Sequence, residues 1–216
     1  IVPGTVLNSL VYNKIYPEPY YGLNNKITSN LIPDLYNTGN EFYTYWFRTE
    51  FSLNENEYKG RKIWLQVDGI NYRAEIWLNG NMVGNIAGMF YQDFIDISEY
   101  AKFDMGNILA IKVYPIDVPG GPRNGSSKSW GAAGEFRNGG NGEIGFNVTQ
   151  LMTVGWDFTF LDGIRDRNTG IWKNISIFTT GSMTLRHPVV KSELSKPDYN
   201  RSKQTISIEV RNTNFV

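Results

Sequence analysis

The chain contains no cysteine, a single histidine and no excess of either charge. Without cysteine there is neither a disulfide framework nor a thiolate metal site. One histidine, His187, excludes His-clustered metal sites. Its place just before Pro188, in what reads as a linker, makes it a surface or packing residue rather than the base of a Ser-His-Asp triad. Lys plus Arg and Asp plus Glu both number 21. No basic stripe is available to hold a phosphate backbone, so nucleic acid is not an expected partner. No apolar run approaches the roughly 18 residues of a membrane span, and none reads as a signal peptide, so no membrane partner is expected. The opening Ile1-Val2-Pro3-Gly4 reads as cut from something longer.

Aromatic residues, in contrast, make up 14% of the chain, with 6 Trp and 13 Tyr. Such a surplus serves either a sandwich core or the stacking platforms that bind sugars. Residues 1–40 read as irregular, with Pro17 and Pro19 favouring extended or turn conformations. The spacing of Ile27, Leu31, Ile32 and Leu35 fits a short helical turn stopped before Pro33 or at Gly39. From residue 41 the pattern turns to strands: 42–53, 61–67, 72–78, 82–86, 90–97 and 108–114, with one helical turn expected near 98–102. Asn79-Gly80 is the strongest hairpin signal in the chain, because both central positions of a type I′ turn need positive φ. A further strand is expected over 171–180, then two more over 185–194 and 204–212. This run of short strands predicts an all-β fold, an antiparallel sandwich or barrel. Two strands cannot close a core alone, so 1–181 reads as one domain and 182–216 as the start of a second whose remainder is absent.

Residues 118–145 hold nine of the 22 glycines and read as loop. Gly140-Asn-Gly142-Glu-Ile-Gly145 spells a dinucleotide fingerprint without the preceding strand or the βαβ setting it needs, and Gly120 to Ser126 lacks the lysine of a phosphate loop. Neither motif supports a cofactor, and none is expected. A glycine-rich stretch of this length suits a lid or rim beside a site.

The chemistry concentrates in 148–172, which packs Trp156, Asp157, Asp162, Arg165, Asp166, Arg167, Asn168 and Trp172 into a segment with no clean period. Sugars bind by laying apolar ring faces on aromatic planes while carboxylates and amides meet their hydroxyls. Trp156 and Asp157 supply one of each, with Arg165, Asp166 and Asn168 close in sequence; the alternative for Arg165 and Asp166 is pairing that holds the loop. Glycoside hydrolysis needs two carboxyls across one cleft, one with a raised pKa. Asp157, Asp162 and Asp166 qualify by type, but Arg165 and Arg167 would lower a neighbouring carboxyl's pKa rather than raise it. The same arginines, with spacing unlike an EF-hand loop, count against calcium.

These residues, with V-P-G-T-V near the start, E-P-Y-Y-G-L-N, Y-W-F-R at 45–48, V-D-G-I-N-Y-R-A-E-I-W-L-N-G at 67–80, F-I-D-I-S at 94–98, N-I-L-A-I-K-V at 107–113 and G-I-W at 170–172, give the chain a resemblance. It resembles the N-terminal sugar-binding domain of glycoside hydrolase family 2. The G-W-D and R-D-R-N-T-G-I-W motifs are most similar to the exo-β-glucosaminidase and β-mannosidase-like branch. The resemblance implies a jelly-roll sandwich, then an immunoglobulin-like sandwich, then a (β/α)₈ barrel with the two glutamates of a retaining mechanism. The barrel is not in this sequence, so no catalytic residue is expected here and the chain by itself should not hydrolyse. In the β-mannosidase-like branch a loop carrying G-W-D-W reaches the barrel's mouth. Trp156 and Asp157 match its Trp and Asp, and Phe158 replaces the second Trp, removing an indole N–H donor. The implied partner is a terminal β-linked sugar, with an autonomous carbohydrate-binding module as the competing reading. A periplasmic or secreted location is expected ahead of a cytoplasmic one.

Overall fold

The computed structural model describes residues 1–25, 29–117 and 165–213. Its centre is a β-sandwich. The four-stranded antiparallel sheet has β2 (Tyr45–Ser52) at one edge, then β7 (Gly106–Tyr114), β4 (Arg73–Leu78) and β5 (Asn81–Ala87). The three-stranded sheet places β3 (Lys62–Val67) between β6 (Asp93–Asp96) and β9 (Ile175–Thr180). A short pair, β1 (Gly4–Thr5) with β8 (Gly170–Ile171), ties the N terminus to the returning chain.

The period of two in the sequence builds the core directly, since successive side chains on a strand face opposite ways. Ile63, Leu65 and Val67 on β3 meet Ala74, Ile76 and Leu78 on β4 and Leu109, Ile111 and Val113 on β7, all buried in one cluster. The intervening residues point outward or lie half-buried. The 79–80 turn forms as expected, with φ of 51° at Asn79 and 87° at Gly80. Asn79 does more than turn the chain. Its amide donates to Tyr100 O at 2.7 Å and Asn107 Oδ1 at 2.9 Å, while its Oδ1 accepts from Ile108 N.

Several local expectations need correction. Residues 1–40 are not irregular throughout: α1 (Val6–Tyr12) is a two-turn helix whose N-terminus is capped by Thr5, the hydroxyl accepting from Asn8 N at 3.0 Å. Pro17 and Pro19, which favour extended or turn chain, lie beyond this helix, whose buried stripe is Val6, Leu7 and Leu10. With Leu35, Tyr43 and Ile116, Val6 and Leu10 form a second, smaller core. The helical turn expected near 27–35 appears later as α2 (Leu35–Thr38), followed by Gly39 at φ 82°; residues 26–28 lie outside the described residues. The segment at 98–102 does form the single turn expected, Tyr100 N and Ala101 N both donating to Ile97 O at 3.0 Å. The strand expected over 171–180 breaks at 172–174, because the Trp172 indole turns aside to donate to Met89 O.

Beyond the sandwich, β10 (Met183–Leu194) and β11 (Ser202–Asn212) form a long antiparallel hairpin. His187 and Pro188 together oppose Ile208, an extra residue that makes a β-bulge. Thus His187 sits inside a strand rather than a linker, at φ 51°, exposed and 3.7 Å from Glu209. The bulge shifts the phase so that Leu185, Val190 and Leu194 share one face with Ile206, Ile208 and Val210. All six are exposed. The opposite face is polar apart from the exposed Val189.

Candidate functional site

Asp34 stands at the start of α2, its carbonyl accepting from Asn37 N and Thr38 N. Its buried carboxylate receives two arginines from the far end of the chain. Arg167 makes a fork, Nη1 to Oδ2 and Nη2 to Oδ1, both at 3.3 Å, and Arg165 Nη1 reaches the same Oδ2 at 3.3 Å. Arg165 continues to Asn25, giving Nε to the side-chain oxygen at 3.2 Å and Nη2 to the backbone carbonyl. Its own carbonyl accepts from Leu35 N at 2.8 Å. Both guanidiniums are almost wholly out of water, and such charges persist only when paired and hydrogen-bonded.

Asp166, between them, faces the other way. Its Oδ2 accepts from Leu7 N at 2.8 Å in the first turn of α1, and its Oδ1 from Asn168 N at 2.9 Å. Burial pushes this carboxyl above the usual carboxylate range, against the opposing pull of the Leu7 amide, the Thr5 hydroxyl, the Asn168 amide and Arg167. Burial likewise raises the Tyr43 hydroxyl, helped by Asp166, Tyr16 and Asp34 and opposed by Arg165.

Arg167 and Asn168 both take positive φ, and Asn71 holds that bend. The Asn71 amide donates to Arg167 O at 2.9 Å and Asn168 O at 3.0 Å, while its backbone exchanges two 2.8 Å hydrogen bonds with Gly170. At Gly170, φ is 155°, and a Cβ there would lie 2.4 Å from Gly4 O. Only glycine fits between Asn71 and β1.

The structure brings Arg165, Asp166 and Asn168 together, Arg165 on Asp34 and Asn25, and Asp166 on the Leu7 and Asn168 amides. Trp156 and Asp157 lie outside the described residues, as do Asp162 and the glycine-rich stretch. The described chain stops at Asp117 and resumes at Arg165, and both flanks are ion-paired, Asp117 with Arg73 and Arg165 with Asp34. Sequence reasoning missed Asp34 and Asn25, whose partners lie some 130 to 140 positions away. Asn71 was within reach, standing in the quoted 67–80 motif. One open groove of about 820 Å³ lies between α1 and the edge strands β2 and β9. Among the described residues its lining, Val6, Leu10, Phe47, Leu65, Ile111 and Ile175 among others, includes no carboxylate.

Residues 1–173 match the family described as Glycosyl hydrolase 2 galactose-binding domain-like. The chain belongs to glycosyl hydrolase family 2. Among its relatives in the family, the mannosylglycoprotein endo-β-mannosidase of Lilium longiflorum is 40% identical over 188 residues, covering 86% of this chain and 18% of the relative. The exo-β-D-glucosaminidase of Arthroderma benhamiae is 24% identical over 219 residues, covering 97% of this chain and 20% of the relative. The crystal structure of the Amycolatopsis orientalis exo-chitosanase CsxA shares the fold, with a TM-score of 0.67 at 21% identity over 98% of this chain and 20% of that one. This family 2 chain thus spans about a fifth of the length of these relatives.

Proposed function

We propose that the chain is the non-catalytic N-terminal portion of a retaining family 2 exo-glycosidase acting on a terminal β-linked sugar of an oligosaccharide or glycoconjugate. The observation that carries this reading is the family match over 1–173 in a chain about one fifth as long as its relatives. The acid/base and nucleophile carboxylates would come from a barrel elsewhere in the polypeptide, and this chain alone would not hydrolyse. Trp156 and Asp157 would contribute an indole face and a carboxylate to the nonreducing sugar's subsite. Supporting that role, the chain on either side of 118–164 is tied down, by Arg73 at Asp117 and by the buried Asp34 pair at Arg165. A segment anchored at both stems is suited to presenting side chains at a defined place.

The same reading makes 182–216 the opening of an immunoglobulin-like domain. Its support is the hairpin's exposed apolar face, which an isolated two-stranded hairpin has no means of burying. The test is to assay the intact parent on a panel of aryl β-glycosides. Turnover on at least one, abolished by replacing the barrel glutamates, is expected. No turnover on any, with those glutamates present, would overturn the reading.

A further inference from the structure

The chain passes from β9 into the hairpin through Gly181 and Ser182 alone. That link is latched on the far strand, where Thr213 donates from N to Ser182 O at 2.8 Å and from Oγ1 to Gly181 O at 3.0 Å. The latch fixes the base of the hairpin but leaves its direction free, because a two-residue linker can swing about its own torsions.

Direction is set by a second contact. On the hairpin's polar face, Thr184 is buried and Arg186 is half-buried, whereas every later residue of β10 and every residue of β11 is exposed. The Arg186 guanidinium lies 3.8 Å from the ring centroid of Phe94 and 5.1 Å from that of Trp64. Those rings belong to the outer face of the three-stranded sheet, where Phe178 stacks on Trp64 at 6.4 Å and meets Phe94 edge-on at 5.7 Å. Trp64 is itself held, its indole donating to Thr180 Oγ1 at 2.9 Å. The platform is thus rigid before Arg186 reaches it. Beside the contact is a recess of about 250 Å³ bordered by Asp93, Asp96 and Arg211, wide enough to admit water and too polar to be a dry core.

We infer that the outer face of the β6–β3–β9 sheet is the seat of the domain that the hairpin opens, with Arg186 the pin that fixes its direction. A guanidinium suits the task because it stacks flat on aromatic planes while its edges stay hydrated. The inference rests on reading 182–216 as the start of a following domain. Its test needs neither sugar nor turnover, so a failure of the glycosidase reading leaves the measurement intact.

The absence of cysteine makes the test direct. Spin labels at Glu57→Cys on the sandwich and Glu193→Cys on the hairpin report one distance distribution by pulsed dipolar spectroscopy. The otherwise unaltered chain should give a narrow distribution. Arg186→Ala and, independently, Phe94→Leu should broaden it severalfold with the thermal midpoint of the sandwich little changed, while Lys191→Ala, farther out on the same polar face, should leave it narrow. A broad distribution before any further change, an unaltered one in Arg186→Ala, or equal broadening in Lys191→Ala overturns the inference.

Discussion

Asp34 and Arg167 meet as a two-point fork, both carboxylate oxygens 3.3 Å from guanidinium nitrogens, although 133 positions separate them. Arg165 shares one of those oxygens, so one carboxylate answers two buried cations, with the Asp166 carboxyl close by. Removing one partner of such a set leaves uncompensated charge in a low-dielectric interior. Asp34→Ala should cost about 3–5 kcal/mol. Chemical denaturation at neutral pH measures this, and a loss below about 1 kcal/mol would mean that water replaces the carboxylate at little expense.

Gly170 and Gly181 make a matched comparison. A Cβ at Gly170 would meet the Gly4 carbonyl at 2.4 Å and Thr5 Cα at 2.6 Å, and φ is 155°; at Gly181 nothing lies within 4 Å. Gly170→Ala should therefore lower the thermal midpoint by many degrees or prevent folding, while Gly181→Ala changes it little. Equal effects at the two positions would show that the β1–β8 contact is dispensable.

Two aspartates should respond to acid with opposite signs. Asp166 has a raised folded-state pKa, so the folded state takes up its proton more readily than the unfolded chain; its contribution grows as pH falls through the folded pKa and is lost as pH rises through it. Asp96 is lowered: burial alone would raise it, but the Ser98 hydroxyl and amide and Lys62 outweigh that. Its contribution is present above the unfolded value and lost as pH falls through the folded one. Carboxyl-carbon NMR titration should find Asp166 titrating above, and Asp96 below, the 3.8 of a free aspartate. The reverse order would refute the assignment.

Trp156 and Asp157 are tested in the intact parent. Trp156→Ala and Asp157→Ala should each reduce kcat/KM at least about tenfold, the scale of losing one well-placed transition-state contact. The 216-residue chain alone should show no saturable binding of β-linked oligosaccharides by calorimetry. Unchanged kinetics would make this domain a spacer, and tight binding lost in Trp156→Ala would make it an autonomous module.

The sandwich was legible in the sequence because its information is local: alternation on 61–67, 72–78 and 108–114 assigns the inward face, and Asn79-Gly80 names its own turn. α1 was less so, since its signal is one capping threonine and three apolar residues behind Pro3-Gly4. The candidate site was half legible. Arg165, Asp166 and Asn168 announce themselves by crowding, and pairing with neighbours was one of the readings open to them. Asp34 and Asn25 have no distinguishing surroundings and are defined only by what the fold brings to them. Charge pairs across such separations carry no periodicity to read.

The extra residue at His187–Pro188 has one more consequence. A strand counts in twos, and the bulge changes odd to even half-way along β10. Losing either residue would iron the bulge into a regular strand, one residue opposite Ile208, and leave Val190 and Leu194 on the face of Leu185. Losing one residue between Val190 and Leu194 would instead make their spacing odd and put them on opposite faces. Single-residue deletions should therefore be tolerated at 187–188 and rejected at 191–193, so that in a deletion scan this bulge stands out as slack in a reading frame written in backbone geometry.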